Sequence, residues 1–309
     1  MQPQLGSLLV PAAALINHSC CPNAHHLSEG PELVLRSYRK IAKNEEITIA
    51  YINTAQLFEE RQEKLSASYA FTCQCAKCAD GSEMQEVLTG DPILDEHVYL
   101  AKSQLDTLEH ASTDPGQDLI SLEANVRQTF RSLSSRKPWP ISLPPIPMIH
   151  VKLAIRFEDE QQWERALHYW LKIVYLIDPL RYPDRLDAHR VVDLMWLSQL
   201  EGRISHTIQT DSSVKATFDS IESSLSLAQW AHNIQLKDDA AASLGPNHII
   251  FKVAAHFDKE MEGKMMASMG IEESAWQSEA LKEMRAERFK VAERRLLEWA
   301  GVDVSVKTV

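Results

Sequence analysis

The sequence predicts an α+β fold that is mostly α-helical, with a small β-rich region at residues 1–83 and an α-helical region at residues 84–309. Two patterns predict this division. Short stretches with period-two alternation of apolar side chains occur before residue 52, whereas from Leu94 onwards apolar residues recur at helical spacing. A compact group of cysteines lies between the two patterns and marks the end of the β-rich region.

The composition is that of a folded protein with a sizeable core, because 44% of the 309 residues are hydrophobic and 24% are charged. No apolar run reaches the ~18 residues that a membrane-spanning helix needs. The five cysteines are odd in number and clustered, which is typical of a reducing compartment rather than of a secreted disulfide framework. We therefore expect a cytoplasmic or nuclear protein.

The net charge of −11 is unevenly distributed along the chain. Residues 1–80 are nearly neutral, so the negative charge lies in the helical region. Direct binding to nucleic acid is disfavoured, because neutralising phosphates needs clustered Lys and Arg and the sequence has no such patch. The acidic helices have two interpretations, a surface that attracts basic peptides or simply solvated helix faces.

Three strands are predicted in the first region. Residues 27–36 alternate around Gly30-Pro31, which indicates two strands joined by a reversal. Alternation predicts the third strand at Glu46–Tyr51. Asn44 precedes this strand, and asparagine is one of the residues that tolerate a left-handed turn.

The cysteines predict a zinc site. Cys73, Cys75 and Cys78 lie within six residues, and a closed structural zinc site takes four protein ligands. The fourth ligand is then Cys20 or Cys21, because the chain has no other cysteine. The alternative is a loose group of reduced thiols that binds no metal.

Two further features lie close to these cysteines in the sequence. The segment at residues 17–23 is predicted to be a loop, because Pro22 disfavours helix at the preceding residue and lacks a backbone donor. His25 and His26 are imidazole ligands in principle, but four thiols already satisfy zinc. Both histidines are therefore assigned to a strand.

Three motifs carry a resemblance to a known family: Asn17-His18-Ser19-Cys20-x-Pro22-Asn23, then Glu45-Glu46-Ile47-Thr48-Ile49-Ala50-Tyr51, then Tyr69-x-Phe71-x-Cys73-x-Cys75-x-x-Cys78. Their order and spacing resemble the C-terminal half of a SET domain with its post-SET zinc site, most closely the SET and MYND domain branch of lysine methyltransferases. The resemblance covers roughly residues 6–80. Asn44 and Ala50 depart mildly from the family, which usually has glycine and a small polar residue there.

The resemblance implies an S-adenosylmethionine-dependent protein-lysine methyltransferase that acts on a histone tail or another lysine-containing protein. The site residues that it implies are Tyr51 as catalytic residue, Asn17, His18, Tyr51 and Phe71 as cofactor contacts, Tyr69 in the substrate channel, and Cys20, Cys73, Cys75 and Cys78 as zinc ligands. Cys21 falls at a variable position. Without the motif context, each aromatic residue would be read as an ordinary core side chain.

The beginning of the chain lacks expected parts of that family. Nothing before Gly6 matches the opening strands and glycine-containing cofactor loop of a SET domain, or the MYND zinc finger. We therefore expect an N-terminally incomplete form that binds S-adenosylmethionine weakly. The alternative function is a non-catalytic, zinc-containing SET remnant that mediates protein–protein interaction through a helical scaffold. A hydrolase built on Cys20 and His18 is a more distant alternative.

The helical region resembles stacked helical hairpins of the tetratricopeptide type, without a strict repeat. Apolar residues at helical spacing fall into four runs: 119–133, 163–177, 218–232 and 289–299. Residues 137–147 contain five prolines and are predicted to be an extended connection. A ligand for a proline-recognising domain is the alternative for this segment, and a stiff spacer is the preferred interpretation.

Overall fold

The computed structural model of the protein describes residues 10–29, 32–81, 88, 92–112, 114, 116–133 and 139–303. The chain divides into two compact units, residues 1–86 and residues 87–309. The first unit contains strands and short helices, and the second is built from helices. The predicted fold class, a mostly α-helical α+β protein, is confirmed.

The first unit has two small sheets among its described residues. Strands β2 (Ala24–Glu29) and β3 (Glu32–Ser37) pair antiparallel, with Ala24 opposite Ser37. This is the predicted hairpin, and both histidines lie on β2 as expected. The predicted reversal at Gly30-Pro31 lies outside the described residues.

The second sheet corrects two predictions. Asn17–His18, predicted to be loop, forms strand β1, which pairs in parallel with β4 at Thr48–Ile49. The third strand was predicted to span Glu46–Tyr51 and is only these two residues long. Side chains explain the shortening, because the backbone N–H groups of Thr48 and Tyr51 donate to Asn23 and to the His18 ring instead of to a strand.

Three short helices complete the first unit: α1 at Pro11–Ala14, α2 at Phe58–Tyr69 and α3 at Ala76–Ala79. Glu59 and Glu60 lie in the first turn of α2, where negative charge is favoured by the helix dipole. The turn before β4 has the predicted left-handed residue, since Asn44 has a φ of 68°.

The second unit is an assembly of helices. They are α4 Pro92–Ala111, α5 Leu119–Leu133, α6 Ile146–Asp159, α7 Trp163–Lys172, α8 Asp178–Arg181, α9 Ala188–Ile208, α10 Ser212–Phe218, α11 Glu222–Ser243, α12 Ile249–Met269, α13 Glu273–Trp276 and α14 Glu279–Trp299. A π-helical segment, Ile173–Ile177, continues α7 into α8. Side chains cap several of these helices: Asp211, for example, accepts hydrogen bonds from the first backbone N–H groups of α10.

Consecutive helices pack as the pairs α4–α5, α6–α7 and α11–α12, which fits the predicted helical hairpins. Helix α11 also packs against α9 and α14 and is therefore central to the C-terminal part of the unit. The core of the helical unit contains the fully buried Trp170, Trp230 and Phe157. No helix among the described residues is long and apolar enough to cross a membrane.

Two predictions for the helical unit need correction. The run at residues 218–232 is not one helix, because α10 ends at Phe218 and α11 begins at Glu222. The proline-rich connection is shorter than predicted, since Ile146 and Pro147 already form the first turn of α6, where a proline costs no hydrogen bond. Residues 137 and 138 of this stretch lie outside the described part.

Candidate metal centre and active site

Four cysteines from two distant segments of the first unit come together. The sulfur atoms of Cys20, Cys73, Cys75 and Cys78 all lie within 4.8 Å of one another, and those of Cys20 and Cys78 are 3.6 Å apart. Four thiolates around a tetrahedral zinc would be ~3.8 Å apart, given a Zn–S distance of ~2.3 Å. The donor set and its spacing therefore fit zinc. Cys21 is exposed and lies outside this group.

Helix α2 provides the surface on which the cysteines assemble. Its residue Leu65 is fully buried and packs against Cys20, Cys73 and Cys78. One turn earlier, the Gln62 side chain accepts from the backbone N–H of Cys73 at 2.9 Å and donates to its carbonyl oxygen at 3.0 Å. The cysteine-bearing loop is thus held by its backbone, independently of its sulfur atoms.

The short helix α3 arranges the last two sulfur atoms. Cys75 lies immediately before it and Cys78 within it, and the backbone N–H of Cys78 donates to the Cys75 carbonyl oxygen at 2.9 Å. This turn directs both thiols to the same side of the helix, as a chelating pair requires.

The cysteine thiols differ in acidity. Although burial opposes ionisation, hydrogen bonds from the backbone of Cys78 and Cys20 lower the pKa of Cys75 to about 7. Burial raises the pKa of Cys78 to about 11, and burial together with the hydrogen bond to Cys78 raises the pKa of Cys20 strongly. A divalent cation would override these differences, because it favours thiolate at every ligand.

Arg61 brings a positive charge to this sulfur cluster. Its side chain is fully buried in α2, with one guanidinium nitrogen 4.0 Å from the sulfur of Cys78 and another donating to the carbonyl oxygen of Gln56. A zinc ion with four thiolates carries a net charge of −2, so a nearby guanidinium offsets part of it. Sequence reasoning missed Arg61 and Gln62, because both occur in a polar helix with no distinguishing motif.

An aromatic cluster adjoins the cysteines and contains the predicted catalytic tyrosine. The Tyr51 ring lies 4.8 Å from that of Tyr69, 5.3 Å from His18 and 6.5 Å from Phe71, measured between ring centroids. The Tyr51 hydroxyl donates to the carbonyl oxygen of Ile16. Tyr69 is about half exposed, so one side of this cluster is open to solvent.

The structure brings together the residues that sequence reasoning placed around the cofactor, with one at the edge. His18 lies 6.0 Å from Phe71, ring to ring, inside the cluster. Asn17 is exposed, and its amide donates to a carboxylate oxygen of Glu46 at 2.6 Å. Burial and the nearby charge of Arg61 lower the pKa of His18, which favours its neutral ring.

Asn23 connects the two motif segments. Its buried amide donates to the side chain of Glu45 at 3.1 Å and to the Glu46 carbonyl oxygen at 2.8 Å, while its oxygen accepts from Thr48. Glu45 in turn pairs with Arg39, and the hydrogen bond from Arg39 lowers the pKa of Glu45 to about 2. The sequence contained these residues in its motifs but did not reveal that they bind each other.

Comparisons with known proteins agree with the resemblance. Residues 5–52 match the family model described as SET domain. Histone-lysine N-methyltransferase SMYD3 of Mus musculus is 35% identical over 106 residues, which is 34% of this chain and 25% of the relative. N-lysine methyltransferase SMYD2 of Gallus gallus is 30% identical over 189 residues, 55% of this chain and 40% of the relative.

A third relative matches more of the chain. Histone-lysine N-methyltransferase ASHR1 of Arabidopsis thaliana is 29% identical over 254 residues, which cover 71% of this chain and 52% of the relative. The chain thus spans between a quarter and about half of the length of these relatives. The predicted relationship to lysine methyltransferases with SET and MYND domains is confirmed.

Proposed function

We propose, from the premise that this chain is a relative of the SET and MYND domain lysine methyltransferases, that it transfers a methyl group from S-adenosylmethionine to a lysine side chain of a protein. The observation that carries this proposal is the position of Tyr51. Its phenol lies in an open aromatic cluster with His18, Tyr69 and Phe71, directly beside the four-cysteine group.

The chemistry explains what these residues would do. Bound S-adenosylmethionine would supply a methyl group on a positively charged sulfur. Methyl transfer is an in-line displacement, so the protein must align the reactants and place polar oxygens near the reacting carbon. The Tyr51 hydroxyl donates a hydrogen bond to the Ile16 carbonyl oxygen, which leaves the lone pairs of the phenol oxygen available for this purpose.

The aromatic cluster suits the approach of a lysine. The amine must be neutral to attack, and apolar ring faces favour the neutral form by removing water from it. Tyr69 lies at the solvent-exposed side of the cluster, where a side chain would enter. Phe71 and His18 lie on the side of the cysteines, and we assign them to the cofactor together with Asn17.

The four cysteines would hold a structural zinc. Cys20 comes from the segment that carries Asn17 and His18, and the other three ligands follow Phe71 in the chain. A metal bound to all four therefore fixes both halves of the aromatic cluster to each other. The thiols require a reducing environment, which supports our assignment to the cytoplasm or nucleus.

The substrate is proposed to be a lysine-containing protein. Two of the relatives are named for histone-lysine and one for lysine more generally, so a histone tail and a non-histone protein are both tested.

The experiment measures transfer of an isotopically labelled methyl group to histones and to a lysine peptide mixture. It uses this chain and, beside it, any longer form that the gene encodes. Tyr51→Phe should lower the transfer rate by about 100-fold, because the phenol oxygen is lost from the reacting centre. Tyr99→Phe is the matched control, since Tyr99 is exposed in the helical unit.

Unchanged transfer by Tyr51→Phe would refute the assigned role. Absence of transfer by every form, with metal binding intact, would favour the non-catalytic alternative.

A further inference from the structure

The ring of His18 contacts two different parts of the first unit through its two nitrogen atoms. Its Nδ1 lies 3.0 Å from the backbone nitrogen of Tyr51, and its Nε2 lies 3.3 Å from the sulfur of Cys20. The first partner belongs to the proposed catalytic residue and the second to the proposed metal centre. We propose that His18 is a positioning residue that transmits the geometry of the metal centre to Tyr51; this inference rests on the proposed function.

The direction of both hydrogen bonds follows from the partner at Nδ1. A backbone N–H can only donate, so Nδ1 of His18 must accept and carries no proton. The ring is then neutral, and its one proton is on Nε2. Nε2 therefore donates to Cys20, and a metal-bound thiolate is a good acceptor for such a bond.

Tyr51 is held at both ends by the same short segment. Its backbone N–H donates to His18, and its hydroxyl donates to the carbonyl oxygen of Ile16. Strand pairing does not fix the backbone of Tyr51, because β4 ends at Ile49. The last backbone hydrogen bond between the two segments runs from the N–H of Ser19 to the Ile49 carbonyl oxygen. The His18 ring thus continues the connection between the two segments beyond the end of the sheet.

Two other roles for His18 are separable from this one. Its ring also packs against Tyr51 and Phe71, so it could act by aromatic contact alone. It could also serve only as the cofactor contact that the family resemblance implies. His18→Phe preserves an aromatic ring and removes both hydrogen bonds, whereas His18→Gln retains an amide donor and acceptor.

The first measurement needs no variant and no methyl transfer. Nitrogen NMR of the zinc-loaded chain should show a neutral His18 with the proton on Nε2, and the Tyr51 amide proton should be shifted by its hydrogen bond. A His18 ring protonated on Nδ1 overturns the proposal, because it could not accept from Tyr51.

The second measurement follows the metal centre. His18→Phe should weaken zinc binding by about 10- to 100-fold in a chelator competition, as is usual when a hydrogen bond to a metal ligand is lost. With Co²⁺ in place of zinc, the sulfur-to-metal charge-transfer band should move to lower energy, because Cys20 donates more charge when its hydrogen bond is removed. His18→Gln should restore part of both effects.

The matched control is His26→Phe, since His26 is an exposed histidine on β2 and lies outside the cysteine group. Wild-type zinc affinity and an unshifted cobalt band in a folded His18→Phe variant overturn the proposal. If His18→Phe does not fold, the NMR measurement on the wild type decides alone. Failure of methyl transfer would refute the proposed function but leave these metal and NMR results unchanged, so the two failures are distinguishable.

Discussion

The two units of this protein differ in the side chains that they bury. In the helical unit, large side chains such as Trp170, Trp230 and Phe157 are fully buried among several helices. In the first unit the buried cluster consists of Leu65 and three cysteines, with half-buried aromatic residues around it. A small unit with so little apolar volume needs a cross-link, and a metal bound to thiolates can supply one.

The two units also differ in the partners of their buried polar side chains. The helical unit buries Glu201 against His232, whose Nδ1 donates to the carboxylate at 2.8 Å, and His232 also contacts the Tyr175 hydroxyl at 2.6 Å. These groups satisfy one another within the protein. The first unit instead buries Arg61 beside sulfur atoms that zinc would turn into anions. Arg61 thus faces a group of metal ligands, whereas Glu201, His232 and Tyr175 pair with one another inside the protein.

Metal removal should have the largest effect on stability, and it should destabilise the first unit without destabilising the helical unit. Chelation is expected to unfold the first unit and expose Tyr69 and Phe71 to protease, because most of its cross-linking is lost. Cys20→Ser should bind zinc more weakly by orders of magnitude, whereas Cys21→Ser should retain it, since the exposed Cys21 lies outside the cluster. Metal content of the purified variants and limited proteolysis measure both effects.

A fragment of residues 94–309 is the control for that comparison. It should keep its helical far-ultraviolet spectrum with or without chelator, because its apolar core is its own. Loss of zinc by Cys21→Ser, or loss of helix in the fragment on chelation, would contradict the contrast between the units.

In the helical unit the largest loss of stability from one substitution should come at Glu201, which pairs with His232. Glu201→Ala leaves the buried His232 without its carboxylate partner, and breaking a buried charged pair costs about 3 kcal/mol or more. Glu201→Gln keeps an acceptor for the ring and should cost about half as much. Urea unfolding followed by circular dichroism gives both free energies. Equal losses for the two variants would show that a neutral acceptor of the same volume does not help, and that the carboxylate charge alone matters there.

A smaller, pH-dependent effect is expected at a buried pair of carboxyl groups. Burial and the neighbouring Asp193 raise the pKa of Asp178 from 3.8 to about 8, against the opposing charges of Arg181 and Arg190. A carboxyl group whose pKa rises on folding stabilises the folded state fully below its unfolded pKa. That stability is lost as the pH rises through the folded pKa. Between pH 5 and 8.5 the wild type should therefore lose several degrees of Tm relative to Asp178→Asn.

Asp211→Asn is the matched control for this measurement. Hydrogen bonds from Ser213 lower the pKa of Asp211, so its stabilising effect is lost only as the pH falls below the unfolded value of 3.8. Its Tm difference from the wild type should be constant between pH 5 and 8.5. A constant difference for Asp178→Asn as well would show that this carboxyl group does not titrate in that range.

The smallest predicted effect concerns the turn before β4. Asn44 has a left-handed backbone, so Asn44→Gly should be neutral or stabilise by a few tenths of a kcal/mol, and Asn44→Ala should destabilise by about 1 kcal/mol. Thermal unfolding of the first unit in the presence of zinc measures this difference. Equal stability of the two variants would indicate that the turn relaxes.

The sequence was informative where function requires fixed residue types at fixed spacing. Cysteine spacing and the aromatic motif anticipated the groups that the structure brings together, although their catalytic and binding roles remain predictions. Strand alternation also identified the β2–β3 hairpin. These features are encoded locally or by scarce residue types, so they can be read without knowing the long-range contacts.

Long-range partner choice could not be read in the same way. The Gln62 side chain accepts from the backbone N–H of Cys73. The Asn23 side chain accepts from the backbone N–H of Thr48, so that this group is not available for strand pairing. Gln62 lies in a polar helix like an ordinary surface amide, and the motif that contains Asn23 does not indicate which groups Asn23 binds. The break between α10 and α11 was missed for a similar reason, since apolar spacing continued across it at Phe218 and Ile221. Tertiary contacts decided each of these cases.

The wide separation of Cys20 from the other three cysteines along the chain leads us to expect a particular order of assembly in the first unit. Cys73, Cys75 and Cys78 are neighbours, but Cys20 is 58 positions away from Cys78. Short loops close much faster than long ones, so a metal captured during folding would meet the local trio first. Arrival of Cys20 would then be the slow step, and it would deliver β1 and His18 to Tyr51 in the same event. The last coordination bond would thus complete the aromatic cluster, and premature oxidation of Cys20 would stop folding before that cluster exists.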